Sequence, residues 1–227
     1  MSSISGPDIV TDGLVVNLDA SSRNSYPGSG TAWLDRSGNG NNGTLVGGAT
    51  YSNTIRGEIL FNGTDAYCNV PLPSVQSYNT ITVCGFIKWV SFNSGMFLGM
   101  TNYDIWTANN CLGYNNAASN VIGINAATVT SLGLLGNWKF YTFVMNKTGL
   151  LTTNKIYING VSVGLLTAVY NADGNIPGFD TNLRLCSWNN TGYHGNLAYG
   201  NVSIYSRELT PQEILQNYNV TKSRFGL

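Results

Sequence analysis

Trp188, Asn189, Asn190, Tyr193 and His194 fall within one short segment, SWNNTGYH. Aromatic rings on a loop can stack on the apolar face of a sugar while asparagine amides hydrogen-bond its hydroxyls. The competing reading is packing: Trp188 ends a core strand, and Tyr193 and His194 lie against a neighbouring loop, a common fate of large amphipathic rings. Tyr103 and Trp106, in TNYDIWTANN, carry the same two readings. These seven residues form the candidate surface for a glycan or a partner.

Acid–base chemistry finds less support. Hydrolysis of a glycosidic bond needs two carboxyl groups held across it. The chain has three glutamates, Glu58, Glu208 and Glu213, and eight aspartates scattered mostly through turn contexts such as Thr64-Asp65 and Ala172-Asp173-Gly174. None of the spacings places two carboxylates together on one strand. His194, the sole histidine, has no accompanying Ser or Cys hydrolase motif, and no phosphate loop is present. The expectation is a protein that is not an enzyme, with no catalytic residues. Cys68, Cys84, Cys111 and Cys186 show neither CxxC spacing nor a Cys/His cluster, so buried free thiols are expected, with no metal site. Six N-x-[ST] sequons, at Asn42, Asn62, Asn146, Asn189, Asn201 and Asn219, reflect the abundance of Asn and Thr.

The elements that must position these residues are nearly all strands. In KIYINGVSV, Asn159-Gly160 suits a type I′ turn and pairs Ile158 with Val161 and Ile156 with Val163. Asn62-Gly63 turns between a strand ending at Phe61 and one through Ala66, Cys68 and Val70. Ile81, Val83, Gly85, Ile87 and Trp89 make an inward stripe, and NWKFYTFVM, from Asn137 to Met145, is apolar on both faces. Leu183 to Trp188 provides a further short strand. Between Asn93 and Gly136, Met96–Met100, Ile105-Trp106 and Val121–Ile124 read as short strands joined by long loops. Near the C-terminus Ala198, Gly200, Val202 and Ile204 alternate with Tyr199, Asn201, Ser203 and Tyr205 as a single strand. A helix then starts with Thr210 as N-cap, Pro211 at its first position and Glu213 completing a capping box; Leu209 and Ile214 are placed as a hydrophobic staple. This is the only well-signalled helix. The pattern predicts an all-β fold, a two-sheet antiparallel sandwich with one short C-terminal helix. Its parts are an N-terminal tail over residues 1–12, one domain over 13–219 and a C-terminal tail over 220–227.

The order LFNGTDAYCNVPLP, ITVCGFIKW, GNWKFYTFVMN, NKIYINGVSVG and GNLAYGNVSIYSRELTPQEI resembles the laminin G-like, concanavalin A-like jelly roll. The segment from Gly13 to Ser52 and the ending QNYNVTKSRFGL are similar to laminin G-like proteins of tailed bacteriophages. That resemblance implies a virion structural protein on the outside of a capsid or tail. It also brings in calcium, which some relatives hold through aspartate-bearing loops; Asp65, Asp104 or Asp180 could contribute, but no spacing identifies a site.

Composition fits this setting. Charged residues are 10% of the 227, against about a quarter in typical domains, and the formal net charge is zero. Such a surface argues against nucleic acid and anionic membranes as partners, since both are held mainly by Lys and Arg. It suits neutral sugars or dense packing in a homo-oligomeric or multicopy assembly. The N-terminal MSSISGPDIV lacks the pattern of a secretory signal, so synthesis in the host cytoplasm and residence on the virion surface are expected. The function expected is a capsid decoration or surface-appendage protein with other virion proteins as partners; the alternative is a glycan-binding adhesin or tail-associated receptor-binding protein recognising host-surface polysaccharide.

Overall fold

The strand Thr80–Trp89 is apolar on both faces because both faces are covered. Ile81, Val83, Ile87 and Trp89 point into the main core between two sheets, while Cys84 and Phe86 point the other way, under the C-terminal helix. The structure is a computed structural model and describes residues 8–54, 56–92, 94–116, 118–164, 166–171, 174–189 and 192–227.

In chain-order numbering, one sheet runs β14 (Val161–Ser162), β13 (Lys155–Ile158), β12 (Trp138–Asn146), β7 (Thr80–Trp89), β17 (Asn196–Tyr199), β5 (Glu58–Asn62) and β4 (Thr50–Ser52). β18 (Asn201–Tyr205) pairs with β7 and with β1 (Leu14–Asp19). The second sheet runs β15 (Thr167–Tyr170), β11 (Val121–Ile124), β10 (Cys111–Asn116), β9 (Tyr103–Ala108), β8 (Gly95–Gly99), β16 (Asn182–Leu185), β6 (Tyr67–Pro71), β3 (Gly43–Val46) and β2 (Ala32–Trp33). All the strand pairs are antiparallel. Tyrosine hydroxyls tie the sheets across the core: Tyr199 donates to Phe97 O at 2.6 Å, and Tyr114 reaches Val144 O at 3.0 Å and Lys155 O at 2.6 Å.

The doubly apolar β12 has the same explanation as β7. Tyr141, Phe143 and Met145 enter the main core, and Phe140 and Val144 enter the smaller cluster beneath α2 (Pro211–Thr221). The capping box of α2 is complete: Glu213 N donates to Thr210 Oγ1 at 3.3 Å and Thr210 N to Glu213 Oε2 at 2.8 Å, with Leu209 and Ile214 buried together in the same cluster. The Asn159-Gly160 hairpin pairs Ile158 with Val161, and Val163 N donates to Ile156 O.

Four features differ from the reading of the sequence. The alternating run 198–205 is two strands. Pairing passes from Tyr199–Ile87 to Ser203–Cys84, four residues against three, so a bulge at Gly200-Asn201 reverses the parity. Tyr199 consequently shares the main core with Val202 and Ile204, and Asn201 Oδ1 takes the Phe86 N–H at 2.9 Å. Where long loops were expected, β8 to β11 form an antiparallel meander; Asn109 and Asn110, at φ 50° and 64°, make a two-residue hairpin of the kind asparagine tolerates. A second helix, α1 (Ala126–Ser131), is capped by Asn125, whose Oδ1 accepts from Thr128 N at 2.9 Å. Finally, the stretch read as a C-terminal tail continues the helix and returns to the sheet through Phe225. The helix runs to Thr221, a 3-10 turn follows over Lys222–Phe225, and Phe225 is buried. At the other end Val10 is buried beside it, with its N–H on Asn217 Oδ1 at 2.8 Å.

Candidate functional site

Strand parity creates the site. On β9, Tyr103 and Ile105 enter the core, so Asp104 and Trp106 stand on the outer face of the second sheet. On β10, Leu112 and Tyr114 enter the core, leaving Gly113 and Asn115 outside. The register sets Trp106 opposite Gly113 and Asp104 opposite Asn115, whose Nδ2 donates to Asp104 Oδ2 at 3.3 Å. A β-carbon at Gly113 would meet Ile122 O at 2.5 Å, so the floor beside Trp106 must be bare backbone.

The aromatic segment folds down onto this face. Cys186 turns the chain with φ 67° while its N–H donates to Phe97 O at 2.9 Å and its carbonyl accepts from Gly195 N at 2.8 Å. Gly99 makes room for the descent, because a β-carbon there would lie 2.4 Å from Ser187 O and 3.0 Å from Asp104 Oδ1. Trp188 is pinned by its Nε1–H on Thr101 O at 2.7 Å. Tyr193, at φ 52°, is held through its carbonyl by Met96 N at 2.9 Å. Two non-glycine residues in the left-handed region bracket one segment, a kind of strain that concentrates where a site is over-determined by its surroundings. The Tyr193 ring meets Trp106 with centroids 6.0 Å apart and planes at 78°, and Trp188 at 6.1 Å and 66°. Below the three rings lies a pocket of about 140 Å³ whose lining includes Asp104, Asn115 and Met96.

The floor is polar and under-satisfied. Asp104 is 2% exposed and Asn115 8%, yet Asp104 Oδ1 and Asn115 Oδ1 have no hydrogen-bond partner, nor does Trp106 Nε1. Burial pushes the Asp104 carboxyl up to about 7; the Asn115 amide and the Met100 N–H act in the opposite direction, and the charge of Asp180 raises it further. The described lining contains neither lysine nor arginine. Among the described residues no cluster of three or more His, Cys, Asp or Glu side chains could hold a metal ion. Asp65, one of the aspartates considered for calcium, is engaged elsewhere, accepting from Asn62 Nδ2 at 2.7 Å and Gly48 N at 3.3 Å.

A model of the concanavalin A-like lectin/glucanases superfamily, in its laminin G form, matches residues 62–215. The chain belongs to this superfamily. No curated protein matches it. Among solved structures, the binding domain of botulinum neurotoxin serotype D is similar at 16% identity and TM-score 0.62, over 92% of this chain and 52% of that one. The binding domain of botulinum neurotoxin DC, in complex with SialylT, is similar at 17% identity and TM-score 0.64, over 92% and 52%. The receptor binding domain of the C/D mosaic serotype matches at 17% and 0.62, again over 92% and 52%. The likeness at this identity is one of fold, and the chain spans about half the length of the structures it matches.

In this lectin-like chain the candidate residues separate. Trp106, Trp188 and Tyr193 come together at the pocket. Asn189 stands behind them, its Nδ2 donating to Thr101 Oγ1 at 3.3 Å. Tyr103 is corrected to a core residue: it is fully buried, stacks on Phe179 with centroids 5.9 Å apart and accepts from Asn154 Nδ2 at 2.6 Å. His194 turns toward Tyr67, its ring 6.1 Å away, and does not line the pocket. Asn190 lies outside the described residues. Asp104 and Asn115 are polar pocket residues absent from the candidate surface read from the sequence. The signal was available: once Ile105 is taken as core, period-two alternation puts Asp104 with Trp106 and assigns Tyr103 inward.

Proposed function

We propose that this chain is a non-catalytic carbohydrate-binding domain that holds a glycan against Trp106, Trp188 and Tyr193, with Asp104 and Asn115 beneath. One observation carries the reading: three aromatic rings from two separate segments surround a pocket whose floor offers buried oxygens without partners. A pyranose brings what such a pocket lacks, apolar C–H faces for the rings and hydroxyl donors for the oxygens. Relatives in fold give context, since one was solved with SialylT and another is described as entering cells through two ganglioside molecules. Catalysis is disfavoured because Asp104 is the one carboxylate among the described lining residues; nearby Asp180 lies outside the lining and accepts from Thr101 N. Titration of the full chain against a glycan array tests the reading. Binding of at least one glycan class, weakened by Trp188→Ala, is the expected result; a folded sample that binds none would overturn it.

We further propose that the domain is displayed on a virion, as a capsid decoration or surface appendage. Support comes from the resemblance of the Gly13–Ser52 segment and the C-terminal ending to phage proteins, and from the scarcity of charge. Mass spectrometry of purified particles tests this: the chain should be present in many copies, and its absence from particles would end the proposal.

A further inference from the structure

We infer that the pocket is built for an amino sugar, a glycan carrying a free protonated amine, which would sit on Asp104 and Asn115 inside the ring of Trp106, Trp188 and Tyr193. This rests on the glycan-binding reading and goes beyond it by naming the group that is read.

The argument begins with the floor. Asp104 Oδ1 and Asn115 Oδ1 are both acceptors, both belong to side chains more than nine-tenths buried, and both lack partners. A hydroxyl could satisfy one of them, but it has a single hydrogen and would turn its own lone pairs toward the other. An ammonium group has three N–H donors and no lone pair, so it can serve both oxygens at once. An N-acetyl group is a worse match, because it offers one N–H and adds a carbonyl oxygen to a floor already rich in acceptors.

Charge points the same way. A carboxylate this buried calls for a counter-charge, and the described lining supplies none. The second charge acting on Asp104 is another carboxylate, Asp180. Arg184, on the neighbouring strand across Gly99, is turned onto the Tyr67 ring at 4.4 Å and donates to Trp188 O. Burial raises the Asp104 carboxyl to about 7, and a cation placed beside it would act in the opposite direction. The walls suit a cation as well, since indole and phenol faces attract ammonium groups and do so most strongly where water is excluded. Trp106 Nε1, a donor without a partner, requires an acceptor beside the amine. The hydroxyls that flank the amine of a 2-amino-2-deoxy sugar provide one; a lysine side chain does not.

Calorimetric titration of the full chain at neutral pH, with a short glucosamine oligomer, its fully N-acetylated counterpart and Nα-acetyl-lysine amide, tests the inference. The amine-bearing oligomer should bind about tenfold or more tighter than the acetylated one. Asp104→Asn, a near-isosteric change verified as folded by its melting curve, should bring that ratio close to one, whereas Trp188→Ala should weaken both oligomers together. Equal binding of the two oligomers, or a ratio that survives Asp104→Asn, overturns the inference and leaves glycan binding standing. Lysine amide binding as tightly as the sugar amine overturns it too, because the sugar would then not be what is recognised. Failure of both oligomers together with every other glycan removes the glycan-binding reading itself.

Discussion

The ring of Phe225 lies face to face on that of Phe86, with centroids 4.1 Å apart and planes 12° from parallel. Phe86 belongs to the central strand β7 and Phe225 to the last turn of the chain, so the C-terminus closes the outer face of the sheet with an aromatic lid. Trp138 adds a second contact, its ring 4.9 Å from Phe225. Tyr218 of α2 covers the neighbouring part of the face, so removing the Phe225 ring opens the part it stacks on. Phe225→Ala should cost roughly 3 to 5 kcal/mol of stability, in the range of buried aromatic truncations. Urea denaturation followed by fluorescence measures it, and a loss below about 1 kcal/mol would show that the last turn is dispensable.

Acid should loosen the same face by another route. Arg207 holds Glu213 through bonds of 2.6 Å and 3.0 Å, and this, with help from the Thr210 N–H, lowers the Glu213 carboxyl to about 2. Because the folded value lies below the unfolded one, the contribution is fully present above the ordinary glutamate range and is lost as pH falls through it toward 2. Glu213→Gln should therefore cost about 1 kcal/mol at neutral pH and almost nothing near pH 2. Melting temperatures of the two proteins across that window should converge; parallel curves would contradict the assignment.

Asp104 predicts the opposite slope. Its folded value, about 7, lies above the unfolded one, so the folded state binds the extra proton and loses stability as pH rises from about 4 to 7. The charged groups near it are Asp180, which strengthens the effect, and Arg184, which is occupied with Tyr67 and Trp188 O. In the ligand-free protein Asp104→Asn should be neutral at pH 4 and stabilising at pH 8. Thermal melts at the two values decide it; equal effects at both would show that Asp104 ionises freely in the fold.

The C-terminal clasp and the Asn159-Gly160 hairpin were legible because each rests on local chemistry, whereas Asn62-Gly63 turns the chain from one sheet to the other, β5 pairing with β17 and β4, and β6 with β16 and β3. Thr210, Pro211 and Glu213 specify a helix start wherever they occur together, and Asn159-Gly160 specifies a turn. The doubly apolar β12 signalled cover on both faces without saying that α2 and Phe225 supply it, since that depends on contacts between residues distant in the chain. The bulge at Gly200-Asn201 was hidden for a similar reason: it is fixed by contacts between residues distant in the chain, among them Asn201 Oδ1 on the Phe86 N–H, Gly200 N on Phe86 O and the Tyr199 hydroxyl on Phe97 O. At the pocket, the sequence offered the aromatic rings but not their separation into site and core. Asp104 was weighed only as a calcium contributor, because its place beside Trp106 follows from the parity of strand neighbours that the sequence reading did not assign to a face.

That separation yields the sharpest test of the site. The sequence places Tyr103 and Trp106 on equal terms, three residues apart in one segment, yet the fold sends them to opposite faces of β9. Tyr103→Phe removes the hydroxyl that accepts from Asn154 Nδ2 and leaves that buried amide short of a partner, so stability should fall by roughly 1 to 3 kcal/mol. Glycan affinity at a temperature where the variant is folded should be unchanged, because the ring still fills the core beside Phe179. Trp106→Ala strips one wall of the pocket and the edge contact of Tyr193 while leaving the core untouched. Affinity should then drop about tenfold or more with a smaller change in stability than Tyr103→Phe produces. Affinity titrations paired with denaturation curves on the two variants read both effects. If Tyr103→Phe weakens binding as much as Trp106→Ala, the sugar does not rest on the outer face, and the site must be sought elsewhere on the domain.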